Sequence, residues 1–238
     1  MLLKHDIILC LFSYLSQLII AYIIIMSHHK SLWTRIWGSG SDSTARHLQH
    51  VMNSTRSPSY PMTGYGAPYA TSSLAPSDKI FKDIDCDEVY PRLYIGNAEA
   101  AKCKNYLKLM GITHVLNTAE GKYFGLVDTD HLYYRDCPRI KYMGFPMVDH
   151  PSTKISTYFH IAANFINDAI AGGGKVLVHC VMGVSRSATC VIAYLMIKRN
   201  MSAAEAMKLV RRSRSIRPND GFLRQLCELD NELRRERR

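Results

Sequence analysis

No Cys-x-x-Cys pair occurs anywhere in the 238 residues, and the seven cysteines are odd in number and irregularly spaced. That excludes the usual structural zinc site and a regular disulfide framework, and free thiols in a reducing compartment are the simpler reading. The His28-His29 pair makes no metal site on its own. No cofactor or metal is implied. A basic-aromatic surface motif of the RNP or zinc-finger kind is also missing, so nucleic acid is not an expected partner despite a formal charge of +10. That charge favours phosphorylated or otherwise acidic partners, or an acidic membrane surface. The chain is 47% hydrophobic and 21% charged, which suits one domain with a real core plus extra segments.

Three regions differ in composition. Residues 7–26 are an almost uncharged apolar run long enough to cross a bilayer as a helix. Lys30 and Arg35 follow it, which would leave the downstream domain in the cytosol. The other reading makes residues 1–26 a dispensable upstream extension, since Met26 opens a plausible start. Residues 27–77, rich in Ser, Thr, Gly, Pro and Tyr, read as a flexible linker, in which Ser57-Pro58 reads as a common linker dipeptide rather than a modification site. From residue 78 onward strand-like and helix-like stretches alternate.

In that third region "RLYIGN", "ITHVLNT", "YMGFPMV" and "KVLVHC" read as strands. Asn97 caps a helix over "AEAAKCKNYLKLM" that Gly111 ends, and "ISTYFHIAANFINDAIA" has the three-and-four spacing of a helix packed on a sheet. Three helices close the chain, with Ser202 and Glu205 as a capping box for the second. The pattern predicts an α/β domain, a central mainly parallel sheet flanked by helices.

"KVLVHCVMGVSRSATCVIAYLMI" carries the chemistry. Cys180 stands at the carboxyl end of a buried strand, where α/β sheets form their ligand crevice. The next helix begins near Ser185 or Arg186, so loop amides and a helix N-terminus converge beside the thiol. Thiols in that setting ionise well below their ordinary pKa of about 8.5. Gly183 permits unusual dihedrals, Val181, Met182 and Val184 add no negative charge, and Arg186 offers a planar fork for two phosphoryl oxygens. His179 is a candidate for orienting the loop. The other cysteines, Cys10, Cys86, Cys103, Cys137, Cys190 and Cys227, read as small hydrophobes.

"HCVMGVSRS" has the HCxxGxxR[ST] form and resembles the cysteine-dependent protein phosphatases, in particular the small atypical dual-specificity branch of the vaccinia-H1-related type. The likeness extends from about Glu88 to Leu233 through "VYPRLYIGNAEAAK", "GITHVLNTAEG", "VDHPSTKISTYF" and "RPNDGFLRQLCELD". The resemblance implies a cysteine-phosphatase fold and a phosphocysteine intermediate on Cys180. It implies substrate binding by Val181, Met182, Gly183, Val184, Ser185 and Arg186, and Asp149 as the acid, ahead of Asp128 and Asp136. Ser187 would assist the leaving sulfur, Asn219 would fasten the phosphate loop from outside or cap a helix, and Glu120 would line the cleft rim.

Short loops around the site imply a shallow cleft that admits phosphoserine and phosphothreonine as well as phosphotyrosine. The loop has no lysine for the extra phosphates of an inositol lipid. Phosphorylated proteins are the expected partners, with mitogen-activated protein kinases a family-level expectation, in the cytosol or nucleus. A non-catalytic phosphoprotein-binding module is the first rival, but it should have lost Cys180, Arg186 or Asp149. A sulfurtransferase, arsenate reductase or RNA triphosphatase is the second, and the blocks outside the loop count against it.

Overall fold

Short runs of aliphatic residues become the parallel part of a five-stranded sheet in the computed structural model, which describes residues 43–58, 81 and 83–237. The strands are β1 (Cys86–Tyr90), β2 (Leu93–Gly96), β3 (His114–Asn117), β4 (Lys141–Gly144) and β5 (Val176–His179), in the order β1-β2-β5-β3-β4. Only β1 runs antiparallel, joined to β2 through Pro91 and Arg92. Strand β5 sits centrally and is buried along its whole length, as its unbroken apolar run requires.

The helices are α1 (Ala45–Ser54), α2 (Ala98–Lys102), α3 (Lys104–Met110), α4 (Phe159–Ala171), α5 (Arg186–Arg199), α6 (Ala203–Ser213) and α7 (Asp220–Glu236), with one 3-10 turn (Ile155–Tyr158) leading into α4. Helix α5 is buried on nearly every face, so it forms the centre of the larger core, packed by α4, α6, α7 and the sheet. The opposite face of the sheet is covered by a second core of Tyr94, Tyr106, Leu107, Val115, Tyr134 and Leu177. The capping box of Ser202 and Glu205 is formed at the start of α6.

Three local expectations are corrected. The single helix expected over residues 98–110 is two helices with a break at Cys103. Tyr134 Oη donates to Ala101 O at 2.8 Å and Tyr133 Oη to Lys102 O at 2.6 Å, so these tyrosines take up carbonyls that a continuous helix would use itself. Strand β1 was not foreseen, because "CDEVY" is half polar and pairs only along one edge.

The linker expected over residues 27–77 contains α1. Leu48, Val51 and Met52 fall on one face of that helix and are buried against α6 and α7. Thr44 caps it by accepting from His47 N–H at 3.2 Å, and the Ser43 hydroxyl donates to buried Asp230 on α7. Three apolar positions among polar ones are too few to stand out in so polar a stretch. The compact unit therefore includes residues upstream of 78. The apolar run 7–26 and residues 27–42 and 59–77 lie outside the described residues. Among the described residues no helix is long and apolar enough to cross a membrane.

Candidate active site

The chain leaves β5 at His179, turns through residues 180–185 and enters α5 at Arg186. What shapes this loop is where its carbonyls go. Val181 O accepts from Ala98 N–H at 2.9 Å, and Val184 O from Arg217 N–H at 2.9 Å. Met182 O and Gly183 O accept from the Arg214 guanidinium at 3.1 and 2.7 Å. Ser185 O accepts from the amide and hydroxyl of Thr189. In a trans peptide the N–H opposes the C=O. Carbonyls held outward therefore turn the amides of residues 182–186 inward, toward Cys180. Gly183 N–H donates to Cys180 Sγ at 3.2 Å. Gly183 has φ of 67°, and a Cβ there would meet Gly96 O at 2.5 Å, so only glycine serves.

Cys180 is 2% exposed. Burial alone would raise its pKa, but the Arg186 charge, the Ser187 hydroxyl and the amides of Ser187 and Gly183 together bring it below the ordinary thiol value. Ser187 Oγ lies 3.4 Å from the sulfur. Other thiols go the opposite way: burial pushes Cys86 and Cys227 up to about 12 and raises Cys190 as well. Cys180 is the thiol whose surroundings favour the ionised form.

Arg186, 4% exposed, is aimed by two bonds of 2.9 Å from Nη1 to the carbonyls of Gly125 and Met147. Its Nε is buried and has no hydrogen-bond partner. A buried charged N–H without an acceptor is costly, and it marks where a ligand oxygen fits. Asp149 stands beside it, with Oδ2 3.6 Å from that Nε. Asp149 Oδ1 accepts from Ser185 Oγ at 2.9 Å and from Asn219 Nδ2 at 2.8 Å. One carboxylate oxygen is thus anchored and the other faces the crevice.

Several expected residues take more specific places. Of the two places expected for Asn219, the structure forms the helix cap. Its Oδ1 caps α7 by accepting from Phe222 N–H at 3.0 Å while its amide steadies Asp149, and the loop is held instead by the backbone of Arg217. Gly221, two residues on, lets α7 close on the acid loop, since a Cβ there would lie 1.9 Å from Pro151 O. Glu120 lies over Gly144 at the end of β4, near the Tyr142 hydroxyl. Asp136 pairs with Lys104 at 2.5 Å.

His179 is fully buried, with Nδ1 3.3 Å from Cys180 O and Nε2 unpaired. Burial pulls its pKa down to about 4 from 6.5. The folded chain then keeps this ring neutral while the unfolded chain takes a proton. Stability from this residue is complete above pH 6.5 and is lost as pH falls toward 4, on the order of 3 kcal/mol in all. Urea midpoints at pH 7 and pH 4.5, compared between wild type and His179→Asn, check this: the acid loss is expected to be smaller in the variant.

Sequence reasoning missed Arg214. It is 3% exposed, donates to both loop carbonyls named above, and is neutralised by Asp85 (2.8 and 2.6 Å) and Asp87 (2.7 Å) at β1. Burial would lower its pKa, and the two carboxylates more than offset that. Arg214→Gln is expected to cost roughly 3 kcal/mol in urea denaturation, because it strands two carboxylates and releases the loop. The alternating acids of "IDCDE" were the available signal, but nothing local joins them to an arginine more than a hundred residues away.

Residues 93–232 match the family described as dual specificity phosphatase, catalytic domain. Dual specificity protein phosphatase 13B of Mus musculus is 49% identical over 151 residues, covering 63% of this chain and 75% of that protein. Its Homo sapiens namesake is 50% identical with the same coverage. Among solved structures, a mouse putative dual specificity phosphatase complexed with zinc tungstate superposes with a TM-score of 0.57 at 29% identity, over 71% of this chain and 97% of that one. Human DUSP28 superposes with a TM-score of 0.55 at 28% identity, over 63% of this chain and 95% of that one.

Proposed function

The chain belongs to the dual specificity phosphatase family and is a protein phosphatase of that kind, and from this premise we propose how its residues divide the reaction. Cys180 thiolate attacks phosphorus in line, forming an S–P bond as the bond to the tyrosine, serine or threonine oxygen breaks. Arg186 and the inward amides of residues 182–186 hold the equatorial oxygens, where positioning and charge stabilisation do most of the work. Asp149 gives its proton to the leaving oxygen. It then takes one from the water that attacks the phosphocysteine, and Ser187 Oγ–H steadies the departing sulfur.

The observation that carries this reading is the loop itself: outward carbonyls, a depressed thiol, and a buried Arg186 Nε with no acceptor, all at one point. A tetrahedral dianion supplies the acceptor that Nε lacks.

The substrates on this reading are phosphorylated protein segments, and a doubly phosphorylated segment of a mitogen-activated-type kinase is the first to try. The test is hydrolysis of matched phosphotyrosyl and phosphothreonyl peptides by the full chain. Turnover of both is expected. Turnover of phosphotyrosine alone would replace the shallow cleft with a deep one, and turnover of neither would remove the assignment of these roles.

A further inference from the structure

Arg211, on α6, is a half-buried guanidinium with no carboxylate in ion-pair range among the described residues. Its Nε and Nη2 reach Thr55 O only at 3.4 Å each, and Nη1 donates to Ile216 O. Nη2 also lies 3.3 Å from Ser57 Oγ. Burial and the neighbouring charge of Arg217 both pull the pKa of Arg211 below its ordinary value, so the field at this point is positive and uncompensated.

The hydroxyl facing that field belongs to the sole Ser-Pro or Thr-Pro dipeptide in the chain. Proline at 58 biases Ser57 toward the extended backbone in which a kinase cleft can take a serine. The present contacts are long: 3.3 Å to Arg211 and 3.4 Å to Ser215 Oγ. A hydroxyl does little for a guanidinium that has no carboxylate beside it, whereas a phosphate brings about −1.5 to −2 charges and three acceptor oxygens.

We propose that Ser57 is a phosphorylation site whose phosphate is bound by Arg211, fastening the segment after α1 to α6. The donor is a nucleoside triphosphate held by a protein kinase that accepts proline after its target. Ser57 Oγ forms a bond to the γ-phosphorus, the bond to the nucleoside diphosphate breaks, and the hydroxyl proton passes to the kinase's base. Helix α6 ends beside Arg214, and the Arg217 amide follows, so the new anchor adjoins the two groups that hold the phosphate loop.

The test installs phosphoserine at 57 in the full chain, with Cys180→Ser so that the protein does not remove its own phosphate. A 31P titration is expected to place the second phosphate ionisation roughly one unit below its value in a peptide of residues 52–62 carrying the same group. Tm is expected to rise by roughly 2–4 °C over the unmodified chain, and Arg211→Gln should remove that rise. An ionisation equal to the peptide's would overturn the proposal without needing any arginine variant to fold. So would a Tm rise that survives Arg211→Gln. In a second arm, the full chain is treated with a proline-directed serine/threonine kinase and ATP. Phosphate located on Ser57 by fragment masses, and absent there in Ser57→Ala, is the expected result. Phosphate found only elsewhere would overturn the acceptor assignment.

Discussion

Cys180→Ser is expected to abolish turnover of every phosphopeptide while phosphopeptide binding survives at near wild-type strength. The cradle that binds the phosphate is set by carbonyls held from outside by Ala98, Thr189, Arg214 and Arg217, and none of those bonds involves the sulfur. Removing the sulfur therefore leaves the dianion site assembled. What is lost is the nucleophile, because the influences that depress a thiol are far too weak to ionise a serine hydroxyl near neutral pH. Isothermal titration with a phosphotyrosyl peptide, beside a phosphate-release assay, separates the two effects. Residual turnover well above background would mean that another group attacks phosphorus. The depressed thiol also sets a sign for pH dependence. Alkylation of Cys180 by iodoacetate is expected to keep its full rate below the ordinary thiol range and to fall only at more acid pH. Ser187→Ala, which removes one of the groups favouring the thiolate, should move that fall upward.

The parts of this site that could be read from sequence are the parts that are local. Cys180, Gly183 and Arg186 lie within one turn between β5 and α5. A buried apolar run followed by a glycine loop and an apolar helix is enough to place them, and the fold class follows from the same alternation. Asp149 came from resemblance and not from spacing, since an aspartate after a strand has many ordinary uses. The brace behind the loop was out of reach. Arg214, Asp85 and Asp87 meet only because β1 folds back beside β2 and α6 comes to rest against it, and β1 was itself too polar to recognise. Of the two roles open to Asn219 in the sequence, the helix cap is formed, and the same side chain also reaches Asp149, because a cap and a side-chain anchor use different ends of one amide. Helix α1 shows the same limit from another side: its three core residues gain meaning only against α6 and α7.

Asp149→Ala is expected to lower kcat for a phosphothreonyl peptide by about 10²–10⁴-fold with little change in KM. Asp149 Oδ1 is held by Ser185 and Asn219, which leaves Oδ2 as the oxygen that can carry the proton to the leaving group. An alkoxide needs that proton most, a tyrosinate less, and a p-nitrophenolate hardly at all. The loss should therefore shrink in that order across threonyl, tyrosyl and p-nitrophenyl phosphates. A residue that merely supports the loop would depress all three alike, so the graded pattern separates proton donation from scaffolding. Asn219→Ala gives an independent reading of the same idea. It leaves the carboxylate in place but frees it from one of its two anchors, so the same ordering of substrates should appear at smaller amplitude. Equal losses on all three substrates, in either variant, would reassign Asp149 to holding Ser185 and Arg186 in place.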